Sequence, residues 1–292
     1  MKRIKIDNIN NKVLVAAGCS HTAGCAFYKN PKFRVNSQGV YEDVIEWASE
    51  ELADLYKVPC SLKLVDEKLS WHGKLKDLLN FDTNINLGFG GAGYEACSTA
   101  LKHYIFKKST LDNHLIILQL PSPSRVMIPD TQNEKYNINL TSDYINDPDR
   151  SYAENSLLQN FFEPGFYEVK FLQDILYLQD YIETKGGNFR IITDFLYPSF
   201  LTGKFLNKHK VEFETFFRRG SYKPFYNFDI NFILDKLNTI AIPATESYKT
   251  LASQGLVFDD NHLSEDGNAQ LANLIYKNLE NYSKFKLSTT VI

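Results

Sequence analysis

The sequence predicts an α/β fold in which a mainly parallel sheet of about five strands lies between two layers of helices. Three observations carry that expectation. The runs Val13 to Ala17 and His114 to Leu120 are short, aliphatic and free of carboxylates and lysines, the pattern of strands buried on both faces. The segments between such runs place apolar residues at helical spacing. The resulting order of strand, helix, strand, helix, strand calls for right-handed crossovers and therefore a parallel sheet.

Taken in order, the opening strand breaks at Gly18, and Ser20 is left on the turn at its carboxyl end. Ala23 to Tyr28 starts a helical stretch that Asn30-Pro31 cuts short, because the residue before a proline is pushed out of the helical region. Tyr41 to Tyr56 and Leu69 to Leu79 carry apolar residues at helical positions, Trp47 and Leu52 in the first, Trp71 and Leu75 in the second. Thr83 to Gly88 reads as a second strand ending in a glycine cluster, followed by a helix over Tyr94 to Lys107 and the third strand to Leu120. From Pro121 to Gly165 the pattern dissolves into Asn, Asp, Ser, Pro and Tyr, and a loop of that length is functional or mobile. Glu168 to Thr184 is a helix stopped by Gly186-Gly187, and Asn188 to Phe195 a fourth strand. A second excursion covers residues 198–231. Ser264 caps the last helix, whose first turn holds Glu265 and Asp266 and whose apolar face carries Leu271, Ala272, Leu274 and Ile275. Beyond Tyr282 the tail reads as frayed. No internal repeat or linker divides the chain, so residues 1–292 are expected to form one domain with insertions at about 121–165 and 198–231.

Composition excludes several functions. At 43% hydrophobic and 23% charged residues, the chain matches a globular protein with a sizeable core. A net charge of −3 without a basic stripe gives nucleic acid no electrostatic foothold. No run reaches transmembrane length, and the charged start Met-Lys-Arg-Ile-Lys lacks the apolar core of a signal peptide. Cys19, Cys25, Cys60 and Cys97 have neither paired CxxC spacing nor a disulfide framework, which points to a reducing compartment. Cys19, His21 and Cys25 fit no common metal spacing, so neither metal nor organic cofactor is expected.

Three features have chemical meaning in sequence order: Ser20 after strand one, the glycines Gly88 to Gly93 after strand two, and Asp259 with His262 ahead of the last helix. A serine hydroxyl becomes a nucleophile when a base takes its proton, and imidazole titrates in the right range. The imidazole needs an acceptor on its other nitrogen, and an aspartate three residues earlier can supply it. Ser20 can equally be the N-cap of the helix that follows. The glycines can alternatively hold phosphate at a helix N-terminus, although no acidic residue is placed for a ribose.

These residues resemble the SGNH or GDSL-type esterases and lipases. Gly18-Cys-Ser-His-Thr-Ala-Gly24 is similar to that family's first block, Asn86-Leu-Gly-Phe-Gly-Gly91 to its second, and Asp259-Asp-Asn-His262-Leu-Ser-Glu-Asp-Gly267 to its last. The resemblance implies a flavodoxin-like three-layer sandwich and a triad of Ser20, His262 and Asp259. It also implies an oxyanion hole built from the N–H groups of Ser20 and Gly91, with Gly90 the neighbouring alternative. Cys19 stands where the family has Asp, and the third block departs further. After Leu115-Ile-Ile-Leu-Gln-Leu120 the chain reads Pro121-Ser-Pro-Ser-Arg125, with no Asn for the third oxyanion donor. Gln119, Ser122 or Ser124 is left to substitute, with Ser122 the choice, and Arg125 is a candidate for binding an anionic group of the substrate.

The activity so implied is ester hydrolysis through an acyl-enzyme, on a small-molecule or glycan ester. The Asn- and Tyr-rich excursions favour an acetylated carbohydrate over a fatty chain. Acyl transfer on the same triad and a catalytically lapsed glycan-binding module are the alternatives. The Ser-Pro-Ser-Arg ending of strand three resembles bacteriophage-encoded members of that family; with neither a signal peptide nor a transmembrane run, a cytoplasmic or virion-associated protein without membrane insertion is expected.

Overall fold

The computed structural model describes residues 11–24, 67–88, 92–121, 125–130, 135–141, 164–193, 235–258 and 262–288. The expected helix over 41–56 and the excursion over 198–231 lie outside them.

Five parallel strands form the main sheet: β1 (Val13–Gly18), β2 (Thr83–Gly88), β3 (His114–Gln119), β6 (Asn188–Thr193) and β7 (Thr239–Ala241). Their spatial order is β2-β1-β3-β6-β7, with β1 hydrogen-bonded to β2 on one side and β3 on the other. This is the flavodoxin-like order, in which the winding reverses between the first and third strands and leaves a crevice at their carboxyl ends. The expected α/β architecture and the first four strands are present. The fifth, β7, is three residues long, too short for an alternation to announce it.

Strand alternation sorts the apolar side chains into two layers. Val15, Ala17, Ile116, Leu118, Phe189 and Ile191 face the helices α3 (Tyr94–Phe106) and α4 (Pro164–Thr184). Leu14, Ala16, Leu115, Ile117, Ile192 and Ile240 face α2 (Trp71–Leu78), α5 (Tyr248–Ser253) and α6 (Glu265–Ser288). On the first side Tyr94 stacks on Phe171 with centroids 3.6 Å apart, and Asp174 of α4 accepts hydrogen bonds from Ser98 and Lys102 of α3. On the second, the backbone N–H of Trp71 donates to Asn268 Oδ1 at 2.8 Å, and Lys74 pairs with Glu265 at 2.9 Å.

The helix boundaries follow the sequence signals. Ser70 caps α2 by accepting from the Gly73 N–H, and Ser264 caps α6 by accepting from the Gly267 N–H. Two expectations are corrected. The segment beyond Tyr282 continues the helix of α6 to Ser288. The excursion after β3 contains an antiparallel ribbon, β4 (Arg125–Asp130) and β5 (Lys135–Thr141), with Val126 opposite Leu140 and Ile128 opposite Ile138. Its signal was present in the alternation Tyr136, Ile138, Leu140. The register shifts between Ile128 and Asp130, at Pro129, which has no N–H for the ladder.

Among the described residues, no helix is long and apolar enough to cross a membrane.

Candidate active site

At the carboxyl edge of the sheet, Gly18 of β1 lies opposite Gly88 of β2. The chain leaves β1 through Cys19 into a single helical turn, α1 (Ser20–Ala23), and exits at Gly24, whose left-handed φ of 76° suits glycine. Cys19 holds the N-cap position and Ser20 is the first helical residue. The reading of Ser20 as a mere cap is thereby corrected, because its backbone is already inside the helix. It is half-buried, at the switch point between β1 and β3.

A turn of four residues does not hold itself together, since helix nucleation is unfavourable. Outside groups hold this one. Its base is so close to β2 that a Cβ on Gly88 would lie 2.7 Å from the Cα of Ala23. Asn86 of β2 donates through Nδ2 to the Ala23 carbonyl at 3.3 Å. Thr22, fully buried, donates its hydroxyl to Gln119 Oε1 at 2.5 Å, across the crevice at the end of β3. The Thr22 carbonyl faces Nε2 of His72 at 2.9 Å.

His72 is itself fully buried, with Ser70 Oγ 2.9 Å from Nε2 and Asn84 Nδ2 2.8 Å from Nδ1. A carbonyl oxygen only accepts, so Nε2 carries the proton and Nδ1 accepts from the Asn84 amide. Burial lowers the pKa of His72 from 6.5 to about 4, against the opposing hydrogen bond that the ring donates to the Thr22 carbonyl. His114, beneath Tyr104 at the other end of the sheet, is lowered to about 4 by burial first and by the Lys108 charge second.

Both rings are neutral at pH 7. An unfolded chain protonates each near 6.5 and the folded one near 4, so the unfolded state binds more protons between those values. Stability from these groups is complete above pH 6.5, falls as the pH is lowered through the window, and levels off below about 4. His72→Gln is expected to flatten the fall of the urea midpoint between about pH 7 and about pH 4.5 relative to the parent chain. Parallel pH profiles would contradict this.

The last block reaches the same edge. Val257 and Leu263 form an antiparallel bridge, the Phe258 N–H donates to the His262 carbonyl at 2.7 Å, and the Ser264 N–H donates to the Leu256 carbonyl at 2.9 Å. His262 is buried, at 7% exposure. Its ring lies 5.1 Å from that of His21, centroid to centroid, and His21 in turn sits edge-on to Tyr248 at 5.2 Å. His21 directly follows Ser20, so the two outer blocks of the sequence meet in space. Nothing local in the sequence marks His21 or His72 for this site, because only the fold brings them to this place.

Asn268 anchors the approach to His262. Its Nδ2 donates to the carbonyls of Leu263 and Ser264 at 3.0 and 2.9 Å, while Oδ1 accepts from Trp71. Asn268→Ala strands those groups and is expected to cost about 1–3 kcal/mol. Asn268→Asp, which sets a carboxylate against two carbonyls, is expected to cost at least as much. Urea denaturation measures both, and an Asp variant as stable as the parent would refute the assignment.

Asp259, Gly90, Gly91, Ser122 and Ser124 lie outside the described residues. Arg125 opens β4, and its side chain is not described. Of the three named substitutes for the missing Asn, Gln119 is described: it is fully buried, and its Nε2 has no partner among the described residues. Among those residues no group of three His, Cys, Asp or Glu side chains could hold a metal.

No family model matches the sequence, and no curated protein matches it. Solved structures do resemble it. One is a member of the lipolytic protein G-D-S-L family from Veillonella parvula, 10% identical, over 91% of this chain and 97% of that one, with a TM-score of 0.41. Another is the psychrotrophic esterase EstA from Pseudoalteromonas sp., 8% identical, over 94% of this chain and 98% of that one, with a TM-score of 0.43. A third is a carbohydrate esterase family 2 enzyme with a carbohydrate-binding domain from Corynascus thermopiles (Myceliophthora fergusii). It is 11% identical, over 93% of this chain and 66% of that one, with a TM-score of 0.43.

Proposed function

We propose that this chain is a serine esterase of the SGNH/GDSL type, acting through an acyl-enzyme. The observation that carries the reading is the contact between His21, next to Ser20, and His262 at the carboxyl edge of the sheet. It supports a nucleophile and a base drawn from opposite ends of the sequence, in the crevice where such folds bind ligands. Ser20 Oγ attacks the acyl carbonyl and His262 takes its proton, with Asp259 as the acceptor that orients the ring. The N–H groups of Ser20 and Gly91 meet the oxyanion, and Ser122 is the proposed third donor, with Gln119 the alternative. His262 then protonates the leaving alcohol and activates water to release the acid.

The substrate proposed is an acetyl ester on a carbohydrate, with Arg125 toward any anionic group. The Asn- and Tyr-rich segments 121–165 and 198–231 suit a polar acyl carrier better than a fatty chain. All of residues 1–292 are read as one domain.

A fluorophosphonate probe tests the nucleophile and base together without knowledge of the substrate. The parent chain is expected to take one label, mapped to Ser20 by peptide mass spectrometry, and Ser20→Ala to take none. An unlabelled parent, or equal labelling of both proteins, would end the esterase reading.

A further inference from the structure

We propose that His72 is a positioning residue for Ser20, acting through the carbonyl of Thr22; this rests on the esterase reading above. The argument begins with what a four-residue helix lacks. Its last carbonyls have no partner within the helix, and here they point into protein. A group from outside must donate to them, or the turn is left with a buried acceptor unmet. Asn86 serves Ala23 and His72 serves Thr22.

Thr22 is the point where the turn is held from both sides. Its hydroxyl is tied to β3 through Gln119, and its carbonyl to α2 through His72. It stands two residues after Ser20 on a rigid turn, so any rotation of that turn shifts the serine hydroxyl with it. The imidazole cannot drift, because Asn84 of β2 fixes its other nitrogen and Ser70 flanks the proton-bearing one. Three elements thus converge on one buried ring whose single N–H is aimed at the nucleophile turn. A hydrocarbon would fill the same space, but it would leave the Thr22 carbonyl without its donor and the turn held from the β3 side alone. Misplacement of a reacting atom by an ångström is enough to cost on the order of a hundredfold in rate.

The test compares His72→Leu, which keeps bulk and loses the donor, with His72→Gln, whose amide N–H reaches the same carbonyl. Hydrolysis of p-nitrophenyl acetate and fluorophosphonate capture are measured well below each variant's melting temperature, per folded molecule. His72→Leu is expected to lose about tenfold or more in kcat, with KM within about twofold, and to slow in phosphonate capture by the same factor. His72→Gln is expected to recover most of both. Where His72→Leu does not fold, Asn84→Ala supplies the second variant, expected to fall in kcat in the same manner.

A folded His72→Leu or Asn84→Ala with the parent's kcat would overturn the proposal and leave His72 a purely structural group. So would a loss confined to KM, or a His72→Gln variant no better than His72→Leu. A parent chain that takes no phosphonate at Ser20 overturns the esterase reading itself, and this proposal with it. Labelling of the parent tells the two failures apart.

Discussion

His262→Ala is expected to lower kcat for p-nitrophenyl acetate by about 10⁴-fold or more, and Ser20→Ala/His262→Ala to be no worse than either single variant. The non-additivity is the informative part. A hydroxyl without its base, and a base without its hydroxyl, are both unable to perform the same step. Removing the second member of the pair therefore removes nothing further. The residue of activity left in all three variants measures what binding and the oxyanion donors contribute on their own. A double variant whose loss equals the product of the single losses would mean that Ser20 and His262 act separately. The pairing inferred from the His21–His262 ring contact would then fail.

Gly88→Ala is the second large effect. A methyl group there would lie 2.7 Å from the Cα of Ala23 and from the Thr22 carbonyl carbon, and closer still to the Ala23 nitrogen. These are main-chain atoms, so no side-chain rotation relieves the overlap. The turn cannot simply lift, because Asn86 and His72 hold its carbonyls. Strand β2 or α1 must move, at an expected cost of about 1–3 kcal/mol or more. At temperatures where the variant remains folded, its kcat should fall by about tenfold or more, since the movement is delivered to Ser20. Gly255→Ala is the control. Gly255 has a left-handed φ of 73°, with nothing within 4 Å of an added methyl. It should lose roughly 1–2 kcal/mol of stability from backbone strain and keep its activity. Gly88→Ala with parental stability and turnover would show that α1 can shift freely without consequence.

The legible parts of this fold were those with a periodic signal. β1 and β3 are mainly aliphatic runs, β2 ends in the glycine cluster and β6 follows Gly186-Gly187, and α3 and α4 carry apolar residues at helical spacing that meet the core. β7 was not legible because three residues make no pattern, and its place is fixed instead by pairing with β6. β4 and β5 were obscured by the Asn, Asp and Pro around them, although the alternation through Tyr136, Ile138 and Leu140 was there to be read. At the site, Ser20 and His262 could be singled out because their neighbours form recognisable blocks. His21, His72 and Asn268 could not, because each earns its role from a partner remote in sequence, and nothing local to a histidine between Trp71 and Gly73 speaks of a carbonyl at Thr22.

The His21–His262 contact joins segments from opposite ends of the polypeptide, on a sheet whose every pairing needs a crossover. Contacts of such sequence separation form late, after the entropy of closing long loops has been met. Until α6 docks, Asn268 cannot hold the Leu263 and Ser264 carbonyls, and the segment that carries His262 is not fixed opposite Ser20. On the esterase reading, hydrolytic competence should arrive in a single step when α6 docks, and be lost in a single step when it detaches.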